Sequence, residues 1–120
     1  MSDLTASDKD LFLGIETRIF SKRWGELNLN DGDLAKLQEF ILKNPQAGDI
    51  IKGTGGLTKL RFAIPAKGKS GGARVLFVDF IHLEKTILVN CYGKSEKDNI
   101  SDKEKLEYKA IIKLIKEELR

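Results

Sequence analysis

Several residue types that build reactive sites are scarce in this chain of 120 residues. A single cysteine, Cys91, excludes an internal disulfide bond and suits a reducing compartment. A single histidine, His82, excludes a metal site built from several cysteine and histidine ligands. No apolar run approaches the roughly 18–20 residues that span a membrane, and the polar N-terminus does not resemble a secretory signal. We therefore expect one cytoplasmic domain over residues 1–120, without a membrane segment.

Acidic residues are absent from one stretch of the chain. Between Lys52 and Arg74 the sequence holds six Lys or Arg residues and no Asp or Glu, although the formal net charge of the whole chain is only +3. From Glu26 to Asp49 the balance is reversed, with two positive and five negative residues. A concentrated basic segment is typical of proteins that bind nucleic acid or another polyanion. The alternative is a solvated loop that keeps an edge strand soluble, and composition leaves both open.

Alternating apolar residues predict three consecutive strands in the second half of the chain: "LTKLRFAI", "ARVLFVDFIHL" and "KTILVNCYG". The last two are joined by a predicted turn around Glu84–Lys85, which indicates a hairpin. On the first of these strands, Lys59 and Arg61 alternate with apolar residues, so one face is apolar and the other cationic. A further strand is predicted near Leu11–Thr17, followed by a short helix or turn.

Two longer segments have the apolar spacing of helices. The first, "NDGDLAKLQEFILKNP", has Asp31 or Asp33 as its predicted capping residue. The second is C-terminal and begins with a capping box formed by Ser101 and Glu104. Its predicted buried stripe consists of Leu106, Ile111, Leu114 and Ile115. This order of elements predicts an α+β fold, a small antiparallel sheet flanked by N-terminal helices and a C-terminal helix, with the helices on one side of the sheet.

Three features that could carry other chemistry have simpler explanations. "GKS" at 68–70 resembles the end of a phosphate-binding loop, but the glycine that such a loop needs five residues earlier is replaced by Ala63. Cys91 lies in an apolar run and is interpreted as a core residue, and His82 as a strand-end residue. Asp and Glu lie mainly on predicted helices and at the termini, so no ligand set of a metal-dependent nuclease is evident. We expect neither a cofactor nor a metal.

What remains is a cationic set at the three predicted strands. Its members are Lys59, Arg61, Arg74, Tyr92, Lys94 and Lys97. If the strands are neighbours, about 5 Å apart, these side chains can converge on one face and hold a phosphodiester. RNA needs no protein nucleophile, because its own 2′-OH can attack the adjacent phosphate while the protein stabilises the transition state. The alternative is a basic face that only binds an acidic partner.

Three segments together resemble a known group of proteins. "NPQAGDIIKGTGGLTKLR", "GKSGGARV" and "YGKSEKDNIS", in this order and spacing, are similar to the HigB-like branch of the RelE/ParE superfamily of toxins from bacterial toxin–antitoxin modules. The resemblance covers about residues 12–118. It implies a small antiparallel sheet flanked by helices. It also implies an endoribonuclease that enters the ribosomal A site and cuts mRNA during translation, without metal.

The resemblance also assigns roles by position. Arg74 matches the arginine that contacts the scissile phosphate, and Lys59 and Arg61 match paired basic positions on the family's first catalytic strand. Another basic position of the family falls in the segment of Lys94 and Lys97, directly after Tyr92. Where some members carry a functional tyrosine beyond that position, this sequence has "DNIS". The residues expected to guide the protein to ribosomal RNA are Lys52, Lys67 and Lys69.

The implied partners are the ribosome, mRNA and a HigA-like antitoxin that covers the basic face. Such antitoxins carry a helix-turn-helix domain, so promoter DNA would be bound only through the antitoxin. Two other functions stay open at this point. One is the superfamily's other activity, poisoning of DNA gyrase, for which the cationic set would be coincidental. The other is a basic binding module without catalysis.

Overall fold

A five-stranded sheet organises the residues described by the computed structural model, which are 15–63, 72–80, 85–93, 96 and 99–118. The elements are β1 (Ile15–Glu16), α1 (Arg18–Glu26), α2 (Asp31–Lys43), β2 (Asp49–Ile50), β3 (Leu57–Ala63), β4 (Gly72–Phe80), β5 (Lys85–Gly93) and α3 (Asp102–Glu118). The strand order is β1-β5-β4-β3-β2. None of the helices in the described ranges is long and apolar enough to cross a membrane.

The strands β2, β3, β4 and β5 pair antiparallel in chain order, and the short β1 adds a parallel edge beside β5. The predicted α+β fold and its three consecutive strands are therefore confirmed. The pairing of Phe80 with Lys85 confirms that β4 and β5 are adjacent, while the predicted turn residue Glu84 lies outside the described residues. Of the strand predicted near Leu11–Thr17, only residues 15–17 are described, and Ile15–Glu16 is a strand. The short strand β2 was not predicted.

The two N-terminal helices pack against one face of the sheet. Phe20 and Leu37 are fully buried there, and the Phe20 ring stacks on Trp24 with centroids 5.3 Å apart. Each such side chain contributes about 1.5–3 kcal/mol when it is removed from water. The sheet residues of this core are Leu60, Phe62, Ala73, Val75, Phe77, Leu88 and Cys91. This apolar layer fixes α1 and α2 to the sheet.

The third helix packs on the opposite face. Ile112 of α3 belongs to a second buried cluster with Leu57, Leu76, Val78 and Ile87 of the sheet. Asn90 Nδ2 of β5 also donates a hydrogen bond of 2.8 Å to Tyr108 Oη of α3. The prediction that the helices lie on one side of the sheet is therefore wrong. Both faces of β3, β4 and β5 carry enough apolar side chains to bury a helix, because β4 is buried at almost every position.

The buried stripe predicted for α3 is also partly wrong. Leu106 and Leu114 are 67% and 62% exposed, whereas Ile112 is buried. The helix is rotated so that Tyr108, Ile112 and Ile115 face the sheet, at spacings of four and three residues. Apolar residues occur on more than one face of this helix, so periodicity alone did not identify the buried face.

Capping hydrogen bonds set where the helices begin. Asn30 Oδ1 accepts from the Asp33 N–H at 2.8 Å, and the Asp33 carboxylate accepts from the Asn30 N–H at 3.0 Å. The capping residue of α2 is therefore Asn30, and Asp33 is its partner in a capping box. The capping box predicted between Ser101 and Glu104 is confirmed at the start of α3.

Candidate functional site

Three residues of the predicted cationic set form one row across the sheet. Arg61 on β3 lies directly opposite Arg74 on β4, and Arg74 lies directly opposite Tyr92 on β5. Residues directly opposite each other on antiparallel strands project to the same face. The strand register thus forms the Arg61–Arg74–Tyr92 row, whose two end residues are 31 positions apart in the sequence. It lies on the face that α3 covers further along the strands.

The members of this row differ in exposure. Arg61 is exposed, whereas Arg74 is only 6% exposed. The Arg74 Nη1 atom lies 4.0 Å from the position that a Cβ would occupy at Gly72, so the side chain extends back along its own strand. Gly72 pairs with Ala63 in the next row, so only small side chains cover the backbone at that point of the sheet. A largely buried guanidinium is held in few orientations, which suits a directional, bidentate contact, but at 6% exposure a phosphate reaches it only when neighbouring side chains move.

Lys59 lies in the neighbouring row on the same face. It is half-buried and lies opposite Leu76, which in turn lies opposite Asn90. Since Asn90 is hydrogen-bonded to Tyr108 of α3, this row borders the helix. Lys59, Arg61 and Arg74 therefore share one end of a sheet face whose other end is filled by α3.

Tyr92 belongs to the row but not to the surface. Its side chain is 5% exposed and belongs to the buried cluster that includes Ile100 and Ile112. A ring in this environment cannot stack on an RNA base without moving. Because Tyr92 lies opposite Arg74, it could hold the arginine side chain in position. Its hydroxyl group could also assist proton transfer.

Of the other predicted site residues, one lies within the described ranges. Lys52 is exposed in the loop between β2 and β3. That loop is fixed by Thr54, whose Oγ1 donates to the Ile51 carbonyl at 2.6 Å and accepts from the Leu57 N–H at 3.0 Å. The predicted site residues outside the described ranges are Lys67, Lys69, Lys94 and Lys97. His82, which was interpreted as a strand-end residue, also lies outside them.

Cys91 lies in β5 beside the row, on the opposite face of the sheet. Its side chain is fully buried in the core under α1 and α2. Burial raises the pKa of the thiol to about 12, although the nearby Arg23 guanidinium opposes the shift. The interpretation of Cys91 as a core residue is confirmed, because a thiol in this state is protonated and inaccessible at neutral pH.

An ion-pair network at the end of β5 was not predicted from the sequence. Arg23 of α1 pairs with Glu26 at 2.6 Å and with Glu96, and its Nε donates to the Cys91 carbonyl at 3.4 Å. Its hydrogen bond to Glu26 raises the pKa of Arg23, burial opposes this, and the contact with Glu96 adds to the rise. The Glu96 carboxylate also accepts from the Gly93 N–H at 2.6 Å. We call the contact between Arg23 and Glu96 the Arg23–Glu96 clasp.

Little in the sequence indicated this clasp. Arg23 and Glu96 are 73 residues apart, so no local spacing links them. The one available signal is that Glu96 is an acid within the basic segment "GKSEK". Among the residues whose placement is described, no group of three or more His, Cys, Asp or Glu side chains could hold a metal ion.

A comparison with protein families gives a match that covers nearly the whole chain. The model of a family described as "RelE toxin of RelE / RelB toxin-antitoxin system" matches residues 15–119. The match starts at β1 and ends one residue beyond α3, so it spans every described element. The row, Lys59 and both residues of the clasp all lie inside it.

Proposed function

The chain belongs to the RelE toxin family of type II toxin–antitoxin systems, and from that premise we propose that it cuts mRNA on the translating ribosome. The observation that carries the proposal is the register that places Arg61 opposite Arg74, with Lys59 beside them on the same face. Like charges in such positions repel, and a bound phosphate would relieve the repulsion. We also propose that the chain belongs to the HigB-like branch, on the similarity of the segments around Gly55, Gly72 and Gly93.

The proposed reaction uses the RNA's own hydroxyl group as the nucleophile. The 2′-oxygen forms a bond to the adjacent phosphorus, and the bond from phosphorus to the 5′-oxygen of the next nucleotide breaks. A proton leaves the 2′-OH, and a proton is delivered to the departing 5′-oxygen. The products are a 2′,3′-cyclic phosphate and a free 5′-OH. The step consumes no water, and the proposed mechanism uses no metal ion.

The basic residues would stabilise the charge that builds up on the phosphate. Arg74, held by the sheet, would bind the non-bridging oxygens, and exposed Arg61 would make the first contact with the incoming strand. Lys59 would add charge at the border of α3. Removal of one such preorganised group costs about 100- to 1,000-fold in rate in comparable sites. Lys94 and Lys97 would orient the RNA or move protons, with Tyr92 supporting Arg74 from the neighbouring strand.

Binding to the ribosome would depend on the wider basic surface. Lys52, Lys67 and Lys69 would contact ribosomal RNA phosphates. This attraction weakens as the salt concentration rises, because the counterions that binding releases then gain less free energy. In the resting cell a HigA-like antitoxin would cover the basic face and connect the toxin to promoter DNA. This part of the proposal rests on the basic segment between Lys52 and Arg74.

Growth arrest on expression tests the proposed function. We expect wild-type protein to stop growth, and Arg74→Ala to be folded and harmless. Arg18→Ala is the matched control, because Arg18 is an exposed arginine on α1, away from the row. A folded Arg74→Ala protein that still arrests growth would contradict the site. Intact mRNA together with a DNA-damage response would instead indicate gyrase as the target.

A further inference from the structure

Asp49 places a negative charge at the edge of the proposed site. It lies on β2 directly opposite Lys59 of β3, so the two side chains project to the same face of the sheet. Arg61 is the diagonal neighbour of Asp49 on that face, and residues in such positions are typically about 7–8 Å apart. Asp49 is exposed, and it is the last acidic residue before the basic segment that begins at Lys52. The basic face is therefore bordered by a carboxylate on its β2 side.

The backbone holds Asp49 in this position. The residue before it, Gly48, has a φ of 91°, a conformation that residues with a side chain rarely adopt. A Cβ at Gly48 would lie 2.8 Å from Thr58 Cγ2 and 2.9 Å from the carbonyl oxygen of Lys59. Both distances are too short for a side chain, so the main chain before Asp49 packs directly on β3. Close packing as well as strand pairing thus keeps Asp49 beside Lys59.

Two structural roles could be assigned to Asp49, and each is a weak explanation. A charged residue on an edge strand discourages pairing with another chain, but a lysine serves that purpose equally well. An opposite-charge pair across two strands adds only slightly to their stability. On a face that binds RNA, by contrast, a carboxylate repels each phosphate that approaches Lys59 or Arg61. The repulsion is felt at this range, because charges are screened over about 8 Å at physiological salt.

We propose that Asp49 is a specificity-determining residue: its charge weakens the capture of free RNA by Lys59 and Arg61, so that cleavage is confined to RNA presented by the ribosome. This inference rests on the proposed function, since it concerns the same basic face and the same reaction. On the ribosome, other contacts hold the toxin next to the message and offset the repulsion by one carboxylate. Free RNA has no such support, so the same repulsion lowers its binding.

Binding of a single-stranded RNA oligonucleotide to the purified protein tests the proposal. Asp49→Asn removes the charge with little change in shape. Glu39→Gln is the matched control, because Glu39 is an exposed acid on α2, which packs on the opposite face of the sheet. We expect Asp49→Asn to bind about three- to tenfold more tightly than the wild type at low salt. The plot of log affinity against log salt concentration should steepen by about 0.7, as for one additional phosphate contact.

The controls should leave the affinity for RNA nearly unchanged. Asp49→Glu keeps the charge at the same place, and Glu39→Gln removes a charge that is distant from the basic face. We expect both variants to bind the oligonucleotide within about twofold of the wild type. Asp49 and Glu39 are exposed, so each variant should fold, and urea unfolding checks this.

Cleavage in the purified translation system separates this role from a chemical one. At saturating toxin, the single-turnover rate of Asp49→Asn should stay within about twofold of the wild type. Free RNA should inhibit the variant at a correspondingly lower concentration than the wild type, because the variant binds it more tightly. A loss of about 100-fold or more in the rate would overturn the proposal and indicate that the carboxylate takes part in proton transfer.

The outcomes also separate this proposal from the proposed function. Absence of cleavage by the wild-type protein would remove the proposed function, whereas the binding comparison would still decide whether Asp49 limits the capture of RNA. Wild-type cleavage together with the same RNA affinity in the wild type and Asp49→Asn would overturn the role of Asp49 alone. Equal gains of affinity in Asp49→Asn and Glu39→Gln would also overturn it, because they would reflect net charge and not position.

Discussion

Arg61 and Arg74 lie directly opposite each other on β3 and β4, so two guanidinium-bearing side chains leave neighbouring strands on the same face. Sheets usually avoid this arrangement, because like charges directly opposite each other destabilise the pairing. Local rules of this kind are broken most often at functional sites. The arrangement is accounted for if an anion binds between the two side chains.

Replacement of Arg61 should leave the stability of the fold unchanged or increase it. We expect Arg61→Gln to unfold at the same or a higher temperature than the wild type, with a gain of at most about 1 kcal/mol, because it removes a like-charge pair. The gain should shrink as salt screens the charges. Thermal unfolding at low and high salt measures this, with Arg18→Gln as the control for loss of an exposed arginine. A lower unfolding temperature at low salt for Arg61→Gln alone would contradict the account.

Arg74 should be sensitive to shape as well as to charge. Lysine keeps the positive charge but cannot make the bidentate contact of a guanidinium. We expect Arg74→Lys to cut mRNA about 100-fold more slowly than the wild type, close to the loss in Arg74→Ala. Single-turnover cleavage rates measure the difference, and circular dichroism checks the fold. Near-normal cutting by Arg74→Lys would show that charge alone is required.

Because α3 buries Ile112 and exposes Leu106, these two residues provide a matched pair of variants. Ile112→Ala removes a buried side chain and should lower the free energy of unfolding by about 2–5 kcal/mol. Leu106→Ala removes an exposed one on the same helix and should change it by no more than about 0.5 kcal/mol. Urea unfolding measures both. Equal losses would mean that the helix packs by the stripe expected from its sequence.

The buried thiol predicts a loss of stability in alkali. The pKa of Cys91 is raised from its ordinary value of 9.0 to about 12, so the folded state holds the proton more tightly than the unfolded state. The stabilisation is fully present below pH 9 and is lost as the pH rises toward about 12, at up to about 1.4 kcal/mol per pH unit.

Urea unfolding between pH 8 and pH 11 tests this point, with Cys91→Ala as the control. The wild type should lose more stability than the variant over the interval where the unfolded thiol ionises. The native protein should also resist alkylation until it unfolds. Parallel pH profiles for the two proteins, or rapid alkylation of the native state, would contradict the buried, protonated thiol.

Much of the fold followed from local patterns, because strand alternation and helix spacing are properties of short segments. Lys59 and Arg61 lie on the same face of β3, as their spacing of two residues indicated. The pairing of Arg61 with Arg74 could not be read from the sequence, since a slip of one residue moves a side chain to the other face.

Long-range features had no comparable signal. The face of α3 that packs on the sheet depends on which apolar residues meet Leu57 and Val78, and Leu106 and Leu114 are equally apolar in sequence. The Arg23–Glu96 clasp joins positions 73 residues apart. Contacts of this kind depend on how the helices pack on the sheet. A short segment of sequence holds no information about that packing.

The central claim is that the Arg61–Arg74 face cuts mRNA on the ribosome. Primer extension on a defined mRNA in a purified translation system, with and without the protein, tests it most directly. The account predicts new ends inside the reading frame that appear only during translation and vanish with Arg74→Ala. Cuts on naked RNA would remove the ribosome from the mechanism. An intact message, in the presence of folded protein that arrests growth, would contradict the claim.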